Sequence, residues 1–132
     1  MNCQFHHLHL ICSNLQNTID FFTGTLGATL VTLKKFGPAD GAELDFGNTT
    51  INLRVAREDE TVNTDSSITT YGYHHICVKV DNTDEACKEL TEKGFEFITP
   101  PTDAGGNRIA FFKGPDEIVI ELLSVPSKPE VL

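Results

Sequence analysis

Two stretches of the chain alternate apolar and polar residues in the same way and end on the same signal. His7-Leu-His-Leu-Ile-Cys-Ser-Asn14 and His75-Ile-Cys-Val-Lys-Val-Asp-Asn82 are each a short β-prone run closed by an Asn suited to start a helix. Asn82 with Glu85 has the form of a capping box, and Asn14 with Asn17 is a weaker version of it. Apolar residues at helical spacing follow each Asn. Leu15, Ile19, Phe22 and Leu26 fall within a helix from about Leu15 to Leu26, and Ala86, Cys87 and Leu90 within one from about Thr83 to Lys93. Gly27 and Gly94 then suit left-handed helix ends.

Strand patterns come after each glycine. In the first half they are Ala28 to Lys35, Ala42 to Phe46 and Thr50 to Ala56; in the second, Glu96 to Ile98, Arg108 to Phe112 and Ile118 to Leu123. Gly37-Pro38, Gly47-Asn48, Gly105-Gly106-Asn107 and Gly114-Pro115-Asp116 punctuate them as turns. The order βαβββ thus occurs twice. It predicts an α+β fold in which two βαβββ modules form a curved mixed sheet around a cavity, with the helices outside. The modules span about 4–57 and 71–124, joined by a polar linker at 58–70 and followed by a proline-containing tail at 125–132.

Alternation along the strands sorts their side chains onto two faces. Leu8, Leu10 and Cys12 oppose His7, His9 and Ile11; Ile76, Val78 and Val80 oppose His75, Cys77 and Lys79; Ile120 and Leu122 oppose Glu121. Ile51, Leu53 and Val55 likewise oppose Asn52 and Arg54. The apolar faces pack under the helices. The other faces gather His7, His9, Asn52, Arg54, His75, Cys77, Lys79 and Glu121. A sheet with one polar face is ordinarily a sheet with one wet side. Nearly the same spacing, however, separates His7 from His75 as separates Asn52 from Glu121, which predicts a pseudo-twofold site. Two imidazoles and a carboxylate suit Zn, Ni, Co, Mn or Fe(II). His6 and His74 precede the candidate ligands and are expected to face away from them.

Composition narrows the partners. The net charge of −9 opposes a nucleic-acid phosphate backbone and an anionic membrane surface. With 39% hydrophobic residues there is enough for a core, but no run of about 18 apolar residues to span a bilayer. The N-terminal stretch lacks a basic region before its apolar run, so the chain reads as cytoplasmic, with a small molecule as its partner. The four cysteines form no CxxC pair; Cys12, Cys77 and Cys87 sit inside apolar patterns and read as buried free thiols.

Three segments resemble the vicinal oxygen chelate superfamily, the glyoxalase-like proteins. "HHLHLICSNLQNTIDFFTGTLGA" resembles the family's opening strand and helix, "YGYHHICVKVDNTDEACKELTEKG" the opening of its second module, and "IAFFKGPDEIVIELL" its closing strand. The resemblance implies His7, His75 and Glu121 as ligands of one divalent ion, with Asn52 where a fourth ligand, Glu or Gln, usually stands. It implies catalysis in the manner of lactoylglutathione lyase: Glu121 abstracts a proton from a hemithioacetal or related α-oxygenated carbonyl compound, and the ion stabilises the enediolate. His9 is a second catalytic candidate, and Arg54, Lys79 and Arg108 are candidate anion contacts. A homodimer is expected on the same grounds. Ile11 stands where glyoxalase I places an Arg for the glutathione carboxylate. Related readings are a methylmalonyl-CoA epimerase, a fosfomycin-resistance enzyme, an extradiol dioxygenase, and a metal-free binding protein of the bleomycin-resistance kind. Against two of them, "FKGPD" replaces the epimerase's "HPK" and His9 the transferase's Thr.

Overall fold

The first alternating run becomes β1 (His7–Cys12), and Asn14 ends it by accepting a hydrogen bond from the Asn17 amide at 3.0 Å. The helix that follows, α1 (Leu15–Asp20), continues as a π-helical turn over Phe21–Thr25. The wider turn takes in one extra residue. Two successive aromatics at its start, Phe21 and Phe22, are both buried. Gly27, in the left-handed region, then releases the chain into β2 (Thr29–Phe36), β3 (Ala39–Asp45) and β4 (Thr50–Val55). The sheet order is β1-β4-β3-β2, with β1 parallel to β4 and the other pairs antiparallel.

The second module repeats this plan. β5 (Ile76–Lys79) leads to Asn82, which caps α2 (Thr83–Glu92) through the Glu85 amide at 3.0 Å. Then come β6 (Phe97–Ala104), β7 (Asn107–Lys113), a single 3₁₀ turn and β8 (Val119–Ser124), in the order β5-β8-β7-β6 with β5 parallel to β8. The α+β class and the doubled βαβββ order match the reading from sequence, and each module builds its own four-stranded sheet. The computed structural model describes residues 1–126, so the tail positions 127–132 lie outside the described residues. Backbone contacts divide the chain into two units that meet at Asp65 and Ser66. No helix among the described residues is long and apolar enough to cross a membrane.

β6 runs well past Ile98, through Pro100 and Pro101. Proline cannot donate to a ladder, so from sequence the strand stops early. The structure carries it on because β6 is an edge strand whose pairing with β7 is irregular between Phe97 and Thr102. The hairpin from β6 to β7 turns on Gly105 and Gly106, both at positive φ, the geometry that a two-residue turn of this hand demands.

Each core lies on the face under its helix. Phe22, Leu44 and Leu53 are completely buried in the first module, and Phe112 and Ile120 in the second. Each such side chain contributes about 1.5–3 kcal/mol of burial. A polar knot pins α2 to its sheet. The buried Thr83 hydroxyl donates to the Arg108 carbonyl at 2.7 Å, and the Ser124 hydroxyl lies 2.7 Å from Thr83 Oγ1 and accepts from the Thr83 amide at 3.2 Å.

Gly41, inside β3, is required by packing. A Cβ there would press into the Leu53 carbonyl oxygen and lie 2.5 Å from the Phe36 ring, which lies across this position. Gly41→Ala should therefore cost about 1–3 kcal/mol, the usual range for overpacking. Gly24→Ala meets nothing within 4 Å and serves as the control. Urea unfolding of the two variants checks this; equal midpoints would contradict it.

Candidate functional site

The parallel pairing in each module sets candidate residues side by side. In the first, β1 lies against β4 so that His7 is opposite Thr50, His9 opposite Asn52 and Ile11 opposite Arg54. β3 adds Glu43 beside Asn52. In the second, Cys77 is opposite Glu121, and Phe111 lies on Glu121's other side. The two modules therefore carry matched rows across their sheets, His9-Asn52-Glu43 and Cys77-Glu121-Phe111.

His75 and Glu121 are in direct contact, Nε2 to Oε1 at 3.0 Å. The His75 ring stands edge-on to Phe111, with centroids 5.1 Å apart. Cys77 hydrogen-bonds Glu121. Burial first, and then the Glu121 charge, push its thiol up to about 11. Cys77 is thus a thiol donor to the carboxylate at neutral pH, not a thiolate nucleophile.

In the first module Asn52 is buried, and its Oδ1 has no hydrogen-bond partner among the described residues. A buried carbonyl oxygen left unpaired costs about 1–3 kcal/mol, so this atom is set to meet a donor or a cation. His9 packs edge-on against Phe36 at 4.7 Å and lies 6.3 Å from the His7 ring, centroid to centroid. Burial first, then the Arg54, His7 and Arg57 charges, lower the His9 pKa and keep the imidazole neutral, the form that accepts a proton.

The donor set fits a divalent ion in kind: imidazole nitrogens, one carboxylate and an unpaired amide oxygen. Within either module, among the described residues, no three His, Cys, Asp or Glu side chains gather around one point. Each module therefore offers a partial set, His7 with Asn52 in one and His75 with Glu121 in the other. A cavity of about 630 Å³ opens at the far end of the first sheet, between the Gly37-Pro38 turn and Val55 to Asp59; none of the candidate ligands lines it.

His6 and His74 do not turn away from the candidate ligands. Their Nδ1 atoms lie 2.8 Å from Nδ1 of His7 and His75 respectively. Strand alternation does not govern them, because β1 begins only at His7 and β5 only at Ile76.

The three candidate anion contacts differ. Arg54 is buried and spends both terminal nitrogens on Glu60, at 2.6 and 2.8 Å. Arg108 pairs across β7–β8 with Ser124, on the helix-packed face opposite Glu121. There Asp84 holds it through two bonds of 3.0 Å. Lys79 is exposed on Glu121's face and forms no ion pair among the described residues. Glu60 and Glu43 were not singled out in the sequence. Glu60 sits in the polar linker, where no periodicity ties it to Arg54. Glu43 could have been found from its place one strand over from Asn52, once the β3–β4 register is known.

The Arg54 side chain, and after it the Arg57 amide, lower Glu60 from 4.5 to about 2. A carboxylate depressed in this way contributes stability that is complete above pH 4.5 and is lost as pH falls toward 2. Thermal unfolding should therefore lose midpoint across that window more steeply in the native protein than in Glu60→Gln. Parallel curves would show that the pair contributes nothing there.

Residues 4–122 match the model of the Glyoxalase/Bleomycin resistance protein/Dioxygenase superfamily. The lactoylglutathione lyase of Escherichia coli O157:H7 is 31% identical over 121 residues, covering 89% of each chain. A glyoxalase family protein from Bacillus cereus shares the fold with a TM-score of 0.80 at 18% identity, over 94% of this chain and 95% of that one. The fosfomycin resistance protein FosX from Mesorhizobium loti does so with a TM-score of 0.65 at 19% identity, over 92% and 91%. With its paired βαβββ modules and a family match along nearly its whole length, the chain belongs to the Glyoxalase/Bleomycin resistance protein/Dioxygenase superfamily.

Proposed function

We propose that the protein is a metal-dependent isomerase of the lactoylglutathione-lyase type, acting on a hemithioacetal or a related α-oxygenated carbonyl compound. One divalent ion is held by His75 and Glu121 with His7, and Asn52 supplies a weak or water-mediated fourth contact. The observation that carries this reading is the His75–Glu121 pair at 3.0 Å, with His75 immediately before β5 and Glu121 on β8, the strand parallel to it. The unpaired Asn52 Oδ1 supports it from the first module. The 31% identity to a lactoylglutathione lyase supports the reaction class.

When bound, the ion supplies Lewis acidity to two adjacent substrate oxygens. The chain's own residues do the rest. Glu121 takes the proton from the substrate carbon and returns it to the neighbouring one, so the isomerisation consumes no net proton. The Cys77 thiol steadies the carboxylate, and Phe111 walls it on one side. His9, kept neutral, can accept a proton from a substrate hydroxyl. Among the described residues, Lys79 is a cation on Glu121's face that forms no ion pair, and it is the candidate for an anionic part of the substrate. With Ile11 at the first module's mouth and Arg54 committed to Glu60, a thiol other than glutathione is expected.

The test uses purified protein loaded with Ni or Zn and methylglyoxal combined with a panel of thiols, glutathione among them. At least one thiol should give turnover. Glu121→Gln should lower kcat by about 10²–10⁴, the usual contribution of a positioned general base. Full turnover by Glu121→Gln, or no turnover by metal-loaded native protein with any thiol, would refute the proposal.

A further inference from the structure

The two His-His pairs have nearly the same geometry. His6 and His7 approach Nδ1 to Nδ1 at 2.8 Å, with ring centroids 5.1 Å apart and planes at 85°. His74 and His75 do the same at 2.8 Å, 5.1 Å and 84°. Such a contact needs one hydrogen between the two nitrogens, and each neutral imidazole carries only one ring hydrogen.

For His75 the other nitrogen decides where that hydrogen is. Nε2 faces Glu121 Oε1 at 3.0 Å, and an ionised carboxylate only accepts. His75 therefore donates from Nε2 and offers a lone pair at Nδ1. The hydrogen between the two rings then belongs to His74, whose Nδ1–H donates to His75. An ion at His75 Nε2 needs the lone pair there instead. The His75 hydrogen must then stand on Nδ1, and His74 must present a lone pair at its own Nδ1, with its hydrogen moved to Nε2. His74 is exposed, so solvent can serve the exchange at Nε2. The two states contain the same number of protons; only their positions differ.

We infer that His74 is a positioning residue that switches tautomer with His75, donating to it when His75 binds Glu121 and accepting from it when His75 Nε2 binds a cation. His6 makes the matching Nδ1 contact with His7. This rests on the proposed role of His75 as a ligand. The requirement is for a neighbour that both donates and accepts at one place. An alanine does neither, whereas a glutamine amide does either by rotating about its terminal bond. Partners of this kind around metal-bound imidazoles change affinity by about 10–100-fold.

The test is long-range ¹H–¹⁵N NMR of the full-length, metal-free protein at about pH 8.5, above the ordinary imidazole range, followed by addition of Zn. Before Zn, His75 should carry its hydrogen on Nε2 and His74 on Nδ1; after Zn, the two should exchange to Nδ1 and Nε2. Zn affinity, measured by chelator competition, should fall about 10-fold or more in His74→Ala and recover in His74→Gln. If Zn moves the His75 signals while His74 keeps its tautomer, or if His74→Ala binds Zn as the native protein does, the switch is overturned and the ligand reading stands. If Zn leaves His75 unperturbed, the ligand reading itself falls. The native spectra decide the question even if the alanine variant does not fold.

Discussion

Parallel pairing of the first strand of each module with its last is the constraint on which the arrangement depends. An antiparallel partner can be reached by a short turn. A parallel one requires the chain to travel the length of the sheet and return. Here a helix and a hairpin make that journey, and β1 and β4, or β5 and β8, then lie in fixed register. That register puts His9 beside Asn52 and Cys77 beside Glu121, residues more than forty positions apart in the chain. A slip of one residue would turn Glu121 into the core and Ile120 out of it. Leu53, Ile120 and the other buried apolar residues hold the chemistry in place by making that slip costly.

The sequence disclosed the doubled βαβββ order, both Asn caps, the glycine helix ends and the faces of β1, β4 and β8, because each rests on short-range pattern. Its errors have local causes. The π turn after α1 and the long course of β6 were invisible because both break the periodicity that serves to find helices and strands. His6 and His74 were expected to point away because alternation was extended past the ends of the strands. The candidate ligands were legible as types at repeat-related positions. What was not legible was which cations are already spent. Arg54 and Glu60 are close in sequence but joined through an irregular loop, and Arg108 finds Asp84 only once α2 lies on its sheet.

The two modules share a frame and differ in what they mount on it. At matched positions His9 answers to Cys77, Asn52 to Glu121 and Glu43 to Phe111. The first row is neutral imidazole, amide and a carboxylate that Lys34 meets at 3.4 Å; the second is thiol, carboxylate and an aromatic ring. One half is richer in hydrogen-bonding groups, the other in apolar wall. The repeat thus keeps the frame of the two halves alike while the chemistry of each row is free to differ.

The edges of the two sheets differ as sharply. β6 carries two adjacent prolines, so two consecutive positions of this edge strand have no backbone hydrogen to offer. A foreign strand approaching there finds a broken ladder. β2 has no proline and shows Leu30, Val31 and Leu33 to solvent, guarded by Lys34 and Lys35 and by an irregular step in its pairing between Leu30 and Thr32. Of these two margins, β2 is the one a foreign strand could extend, and the proline-bearing one resists it.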